Sequence, residues 1–170
     1  MTSAHTSQDG GGGAPARATD VRLRAVERAD LELFFAFEQD PEAARRAVFP
    51  SRERERFMTH WENRVLGDPT GIHRTVVADG EVAGNIVCWE DEGRRLVGYW
   101  FGRPFWGRGV GTRALSQFLD LVEHRPLYAD PFASNEASVR LLERCGFRRI
   151  PAPGPEHHLE PGQVLLVLEG

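Results

Sequence analysis

The stretch Trp106-Gly107-Arg108-Gly109-Val110-Gly111-Thr112 restricts the fold more than any other part of the chain. It separates an apolar run, residues 96–101, from a run over residues 110–122 whose apolar side chains recur at helical spacing. Locally that is strand, glycine-rich turn, helix. Glycines at alternate positions leave little side chain over the turn, so the first backbone N–H groups of the helix stay open and unpaired. The positive end of the helix dipole stands behind them. Such a turn seats an anion, most naturally phosphate. It is not a P-loop, because no Gly-Lys-Ser/Thr follows. Residues 109–114 do read G-x-G-x-x-A with Asp130 further on, which is half of a dinucleotide fingerprint. A tight strand-to-helix connection without any ligand is the plain alternative.

The 170 residues suffice for one domain with a real core. Net charge is −4, so overall charge makes no case for nucleic acid. All basic residues are Arg, which removes any lysine nucleophile, Schiff base or P-loop lysine. Cys88 and Cys145 form no CxxC pair and read as small buried hydrophobes in a reducing cytosol. No run approaches a membrane span and no apolar signal core opens the chain, so a cytoplasmic protein without a membrane partner is expected.

Residues 1–19, rich in Gly, Ser, Ala and Thr, read as a disordered tail, and residues 20–170 as a single domain. Residues 21–25 alternate like a half-buried strand. Asp30 offers a helix N-cap, and Leu31, Phe34 and Phe35 give the helix an aromatic face. Residues 42–48 suggest a second short helix. Ser51 is a plausible cap for a third over residues 52–66, where Phe57, Met58, Trp61 and Val65 recur at spacings of three and four. A meander follows. Residues 72–78 end at Asp79-Gly80, residues 81–89 pair back to the turn at residues 90–93, and residues 96–101 return. Val110, Ala114, Leu115, Phe118, Leu119 and Val122 give the helix after the glycine turn one buried face. Residues 127–132 form a strand parallel to the one before that helix. A helix begins at Ser134-Asn135-Glu136 and is capped by Gly146. Short strands at residues 147–150 and 163–168 flank a proline-rich loop. One parallel crossover after a meander argues against a dinucleotide domain and for an α+β layout, a mostly antiparallel central sheet with one parallel pair and helices on both faces.

Arranged this way, the chain resembles the GCN5-related N-acetyltransferase (GNAT) superfamily. The resemblance runs from about Val21 onward and is densest over residues 97–147. It rests on Gly98-Tyr99-Trp100-Phe101 leading into the glycine turn, on Asn135-Glu136-Ala137-Ser138 ending in Arg144-Cys145-Gly146-Phe147, and on the order of elements. Trp-Gly-x-Gly and Asn-x-x-Ser look most like the branch of ribosomal-protein N-terminal acetyltransferases, RimJ/RimL-like. The superfamily often places a Tyr, the acid for the leaving thiolate, seven residues after the Asn; here that position is Leu142.

The resemblance implies acetyl-CoA as co-substrate and direct acetyl transfer to a primary amine, on a small molecule or a protein N-terminus, by a monomer or homodimer. It also implies that the parallel pair splays. Backbone N–H groups of Gly107, Arg108, Gly109, Val110, Gly111 and Thr112, beside Trp106, would hold the pyrophosphate, with the Arg108 guanidinium adding charge. A main-chain N–H at Trp100 or Phe101 would meet the thioester oxygen. Asn135 would bond the pantetheine arm and also suits a simple N-cap. Ser138, one turn later on the same helix face, is the candidate donor to the thiolate. Glu90 is the first candidate for the base, with Asp130, His73 and His157 behind it. His157-His158 lacks a third ligand, so no metal site is expected. Acceptor contacts would come from residues 34–61 and from the loop at residues 151–161. A non-catalytic acyl-CoA sensor and, more distantly, an NAD(P)-dependent oxidoreductase are the rival readings.

Overall fold

The computed structural model describes residues 13–170. Its strands are β1 (Val21–Arg24), β2 (Ile72–Ala78), β3 (Glu81–Asp91), β4 (Arg94–Phe101), β5 (Leu127–Ala129), β6 (Arg148–Arg149) and β7 (Leu166–Leu168). The helices are α1 (Asp30–Glu38), α2 (Pro41–Ala47), α3 (Arg54–His60), α4 (Val110–Leu121) and α5 (Glu136–Arg144). One sheet runs β1-β2-β3-β4-β5-β7-β6, antiparallel except for the β4–β5 pair. No described helix is long and apolar enough to cross a membrane.

Side-chain alternation splits the core in two. Ile86, Cys88 and Val97 turn one way and pack with Val110, Ala114, Leu115 and Phe118 of α4. Val82 and Val87 turn the other way, under Leu31, Phe34, Phe57 and Trp61 of the α1–α3 layer. The two sharp turns of the meander form where residues tolerate positive φ: Asp79-Gly80 at 48° and 82°, Glu92-Gly93 at 49° and 80°. Beyond Trp61 the third helix continues as a π-helical turn over Trp61–Val65. The expected last strands are shorter than their apolar runs, and β7 inserts between β5 and β6, an order that local patterning does not encode.

Asp30 and Ser51 do not cap helices. Asp30 lies inside α1, whose N-cap Ala29 makes no side-chain bond, and Glu53 precedes α3 without one. The Asp30 carboxylate instead ties the layers together. It accepts from both Arg24 Nη atoms (2.7 and 2.8 Å), the Glu27 N–H (2.8 Å) and the Thr75 hydroxyl (2.7 Å) at 3 % exposure. Burial pushes its pKa up, but the Arg24, Glu27 and Thr75 bonds more than reverse that, so the net shift is downward. Asp30→Ala would strand the Arg24 and Thr75 partners and should cost about 3 kcal/mol in denaturant unfolding. A lowered folded pKa contributes stability above the unfolded carboxylate value of about 3.9 and loses it as pH falls through the folded value. The wild type should therefore lose this increment in acid, while Asp30→Ala has none to lose.

The N-terminal side brings a correction. Residues 1–12 of the expected tail lie outside the described residues. Residues 15–19 are seated on the protein: Ala18 is buried in the α4-side core, and its N–H donates to the Arg108 carbonyl at 3.0 Å.

Candidate active site

Strand β4 separates two clefts. It pairs with β5 only at Arg95–Leu127 and Leu96–Tyr128. Residues 97–101 have no β5 partner, so this edge of β4 opens toward the N-termini of α4 and α5. In the β3–β4 ladder the Gly102 N–H donates to the Ala83 carbonyl. Antiparallel alternation then turns the Trp100 N–H toward its partner Asn85 and the N–H groups of Tyr99 and Phe101 toward the open side. Of the two expected donors, Phe101 therefore has the free N–H and Trp100 does not.

The cleft on the α4–α5 side encloses about 770 Å³. The candidates Trp100, Phe101, Trp106, Gly107, Gly109, Val110, Gly111, Thr112, Asn135 and Ser138 all line it. Gly109 is the N-cap of α4 at φ 75°, a left-handed conformation that side chains resist. Gly111 serves packing: a Cβ there would come within 2.9 Å of Leu141 on α5. Trp106 closes the loop onto β4 through an Nε1–H bond to the Phe101 carbonyl (3.0 Å), with the Arg46 guanidinium 4.4 Å from its ring centre. Arg17, Arg46, Arg113, Arg140 and Arg144 face this cleft, and among the described residues no carboxylate lines it. That donor set fits a polyphosphate.

Arg108 corrects the sequence reading. Its side chain does not line the cleft; Nε donates to the Ala16 carbonyl (3.0 Å) and Nη2 pairs with Asp79 (3.1 Å). Asn135 accepts from the Ser138 N–H at 3.4 Å as the N-cap of α5, with its side chain at the cleft wall.

Leu142, where the superfamily often has a tyrosine, is in the core at 1 % exposure. A tyrosine from another element meets the same helix one turn earlier, at Ser138. The Tyr99 hydroxyl on β4 is 2.7 Å from Ser138 Oγ and 3.2 Å from the Ser138 carbonyl. Burial pushes the Tyr99 phenol well up, and the Ser138 bond only partly offsets this. The phenol therefore stays protonated and available as a donor. Sequence reasoning missed this pair. The alternation of β4 held a signal, since it puts Tyr99 on the α4–α5 side and Trp100 on the opposite side.

The second cleft, about 780 Å³, lies under α1 and α3. Phe34, Phe49, Phe57, Trp61, Trp89 and Trp100 form aromatic walls, and Tyr99 and Trp100 border both clefts. His73, Val87 and Gly98 lie in one row across β2, β3 and β4 and line the floor. His73 Nδ1 is buried with no hydrogen-bond partner among the described residues. Burial, and then the Arg74 charge, hold the His73 pKa below the usual imidazole value.

Glu90 also borders this cleft, half exposed, 4.0 Å from Arg95. Along β3 it alternates with Trp89 and Val87, so it projects from the sheet face that carries Cys88 rather than from the cleft floor. Asp130 and His157 line neither cleft. Burial pushes the Asp130 carboxyl up. His157 bonds Arg94 at 2.8 Å and packs tilted against the Tyr128 ring. Residues 151–161, expected at the acceptor site, do not line the aromatic cleft. Among the described residues no group of three or more His, Cys, Asp or Glu could hold a metal ion.

Comparison with known proteins agrees with this geometry. Residues 20–148 match the family model described as an acetyltransferase (GNAT) domain. No curated protein matches the sequence. Solved structures share the fold at low identity. A GNAT-family acetyltransferase from Bacillus anthracis superposes with a TM-score of 0.70 at 17 % identity, covering 91 % of this chain and 97 % of that one. The aminoglycoside acetyltransferase AAC(6')-Ib, solved with coenzyme A, gives 0.70 at 18 % identity over 88 % and 95 %. An acetyltransferase from Agrobacterium tumefaciens str. C58 gives 0.70 at 16 % identity over 97 % and 100 %. With the family model spanning most of the chain and the splayed β4–β5 pair in place, this protein belongs to the GNAT family of acetyltransferases.

Proposed function

We propose that the protein transfers acetyl directly from acetyl-CoA to a primary amine, on a small molecule or a protein N-terminus. One observation carries this reading: an arginine-lined cleft and an aromatic cleft meet at Tyr99 and Trp100 on the open edge of β4. Acetyl-CoA lies along the first, with its phosphates at residues 107–112, and the amine enters by the second. The neighbour AAC(6')-Ib, solved with ribostamycin and coenzyme A, gives the same fold two ligands of these kinds. Within the family, Trp106-Gly107-x-Gly109 and Asn135-x-x-Ser138 favour the RimJ/RimL-like branch.

Each chemical demand has a residue. The developing oxyanion is met by the Phe101 N–H. His73 takes the amine proton through water as the C–N bond forms, because it lies on the floor of the same cleft, two strands from β4, and burial favours its neutral ring; Glu90 projects from the other sheet face. The C–S bond then breaks, its electron pair goes to sulfur, and the Ser138 hydroxyl donates a hydrogen bond to the thiolate, which takes its proton from solvent, while Tyr99 holds the serine hydroxyl. Direct transfer is supported by the state of the two thiols, since burial raises the pKa of both Cys88 and Cys145 and activates neither as an acyl acceptor.

The test is titration of the protein with acetyl-CoA, followed by thiol release against a panel of amines and peptide N-termini. Gly109→Val should weaken acetyl-CoA binding at least about tenfold, or ~1.4 kcal/mol, because a branched side chain is strained at φ 75° and fills the anion seat. A thermal scan of the same variant separates lost binding from lost folding. Binding without thiol release for any amine would leave only the sensor reading; no binding would sink both.

A further inference from the structure

The chain ahead of β1 does not peel away from the domain. Residues 15–19 run along the glycine loop and are fastened from three sides. The loop itself holds Ala18 and Ala16, through the Arg108 carbonyl and the Arg108 Nε, both at 3.0 Å. From α4, Arg113 donates to the carbonyls of Ala18 (2.8 Å) and Thr19 (3.2 Å). At the β2–β3 turn, the Asp79 carboxylate accepts from the N–H groups of Thr19 and Asp20 (3.0 and 2.8 Å) and from Arg108 Nη2 (3.1 Å). Ala18 is the plug, 6 % exposed in the α4-side core.

Arg17, the residue before the plug, is exposed and faces the arginine-lined cleft. Its guanidinium lies over the loop. A Cβ built on Gly109 would come within 2.8 Å of Nη2 and 3.2 Å of Cζ, and one built on Gly107 would be 3.7 Å from Pro15. At Gly109 the absence of a side chain leaves room for the Arg17 guanidinium, while Gly107 lies at ordinary contact distance from Pro15. The sequence reading gave the loop's charge to Arg108, but that guanidinium is spent on Ala16 and Asp79. Arg46 and Arg140 of this cleft already pair with Glu42 and Glu136, at 2.9 and 3.2 Å, whereas no carboxylate pairs with Arg17 among the described residues.

We propose that residues 15–19 are a strap that completes the phosphate subsite, with Arg17 as a direct ligand of the acyl-CoA pyrophosphate and Arg108 and Asp79 as the residues that position it. The proposal rests on the acetyl-CoA reading above. It goes beyond the family, because the strap precedes residues 20–148, the part that matches the family model. Arg17 supplies a planar fork to an oxygen that the loop N–H groups already hold, and the covering strap reduces water access to that pair. Gly109 is the N-cap of α4, beside the open N–H groups of its first turn, which assigns Arg17 to the pyrophosphate rather than to the ribose 3'-phosphate.

The test is calorimetric titration of the full chain and its variants with CoA and with 3'-dephospho-CoA. Arg17→Ala should weaken both about tenfold, the loss of one charge-assisted contact. Arg17→Lys should recover part of the loss, and the penalty should shrink at high salt. Asp79→Asn should weaken CoA binding in the wild-type background and have no further effect in Arg17→Ala, since both changes remove one contact. Unchanged affinity in Arg17→Ala overturns the proposal. A loss seen with CoA but not with 3'-dephospho-CoA overturns the pyrophosphate assignment. Equal effects of Asp79→Asn in both backgrounds overturn its positioning role. A wild type that binds neither probe is a different result, the failure of the acetyl-CoA reading and of this inference with it.

Discussion

Replacing His73 with Gln should lower kcat/KM by about 10²–10⁴-fold, the usual contribution of a positioned base, and should abolish the acid limb of the pH profile. The wild-type limb follows from the sign of the shift. A base must be neutral to accept a proton, and burial together with Arg74 holds His73 below the ordinary imidazole value of about 6.5. Activity should therefore rise with pH through a point below 6.5 and be level above it as far as His73 is concerned. A second rise at higher pH belongs to the amine acceptor and should move when the acceptor is changed, whereas the His73 limb should not. Glu90→Gln should keep the His73 limb with only a small loss in rate. If instead Glu90→Gln removes the limb and His73→Gln keeps it, the base is Glu90. Because an ionised ring is penalised in this buried position, His73→Gln should also make the protein less sensitive to acid between pH 6.5 and the lower folded pKa, where the wild type must bind a proton on unfolding.

Ser138→Ala should reduce kcat by about 10²-fold, at the lower end of the general-acid range, with little change in KM. The lost interaction is made with sulfur as it becomes a thiolate, so it belongs to the transition state and not to binding. Tyr99→Phe keeps the ring packed against Phe101, at 5.5 Å between centroids, and deletes only the hydroxyl 2.7 Å from Ser138 Oγ. It should cost about tenfold in kcat, the order of one hydrogen bond. The double variant should be no slower than Ser138→Ala alone, because Tyr99 acts through the serine. Additive losses would show two independent roles, and a Tyr99→Phe effect confined to KM would make the pair a wall of the cleft and nothing more. Both effects should diminish with a thioester whose thiol is more acidic, since such a leaving group needs less help from a donor.

Much of this protein is written locally. Asp79-Gly80 and Glu92-Gly93 mark the turns of the meander because few other residues accept their backbone angles. The spacing of Val110, Ala114, Leu115 and Phe118 marks the buried face of α4 because a helix repeats every 3.6 residues. The glycines before α4 and Asn135 before α5 mark the two helix starts that face the cleft. Partners far apart in the chain were decided by the tertiary structure alone. Tyr99 and Ser138 are 39 residues apart and meet only because α5 packs across the open edge of β4. The same register that turns Tyr99 to that side sends His73 to the other, which separates it from Glu90 as a base. Arg108 looked like the loop's cation because its neighbours in sequence are glycines, yet Asp79 and Ala16 bind it from elsewhere. Residues 15–19 read as a tail because they carry no large apolar side chain, and order there comes from bonds to Asp79, Arg108 and Arg113 together with the burial of Ala18. Periodicity reports which side of an element is apolar; which elements then meet depends on strand order and register, and that is settled only when the whole sheet closes its hydrogen bonds and buries both faces.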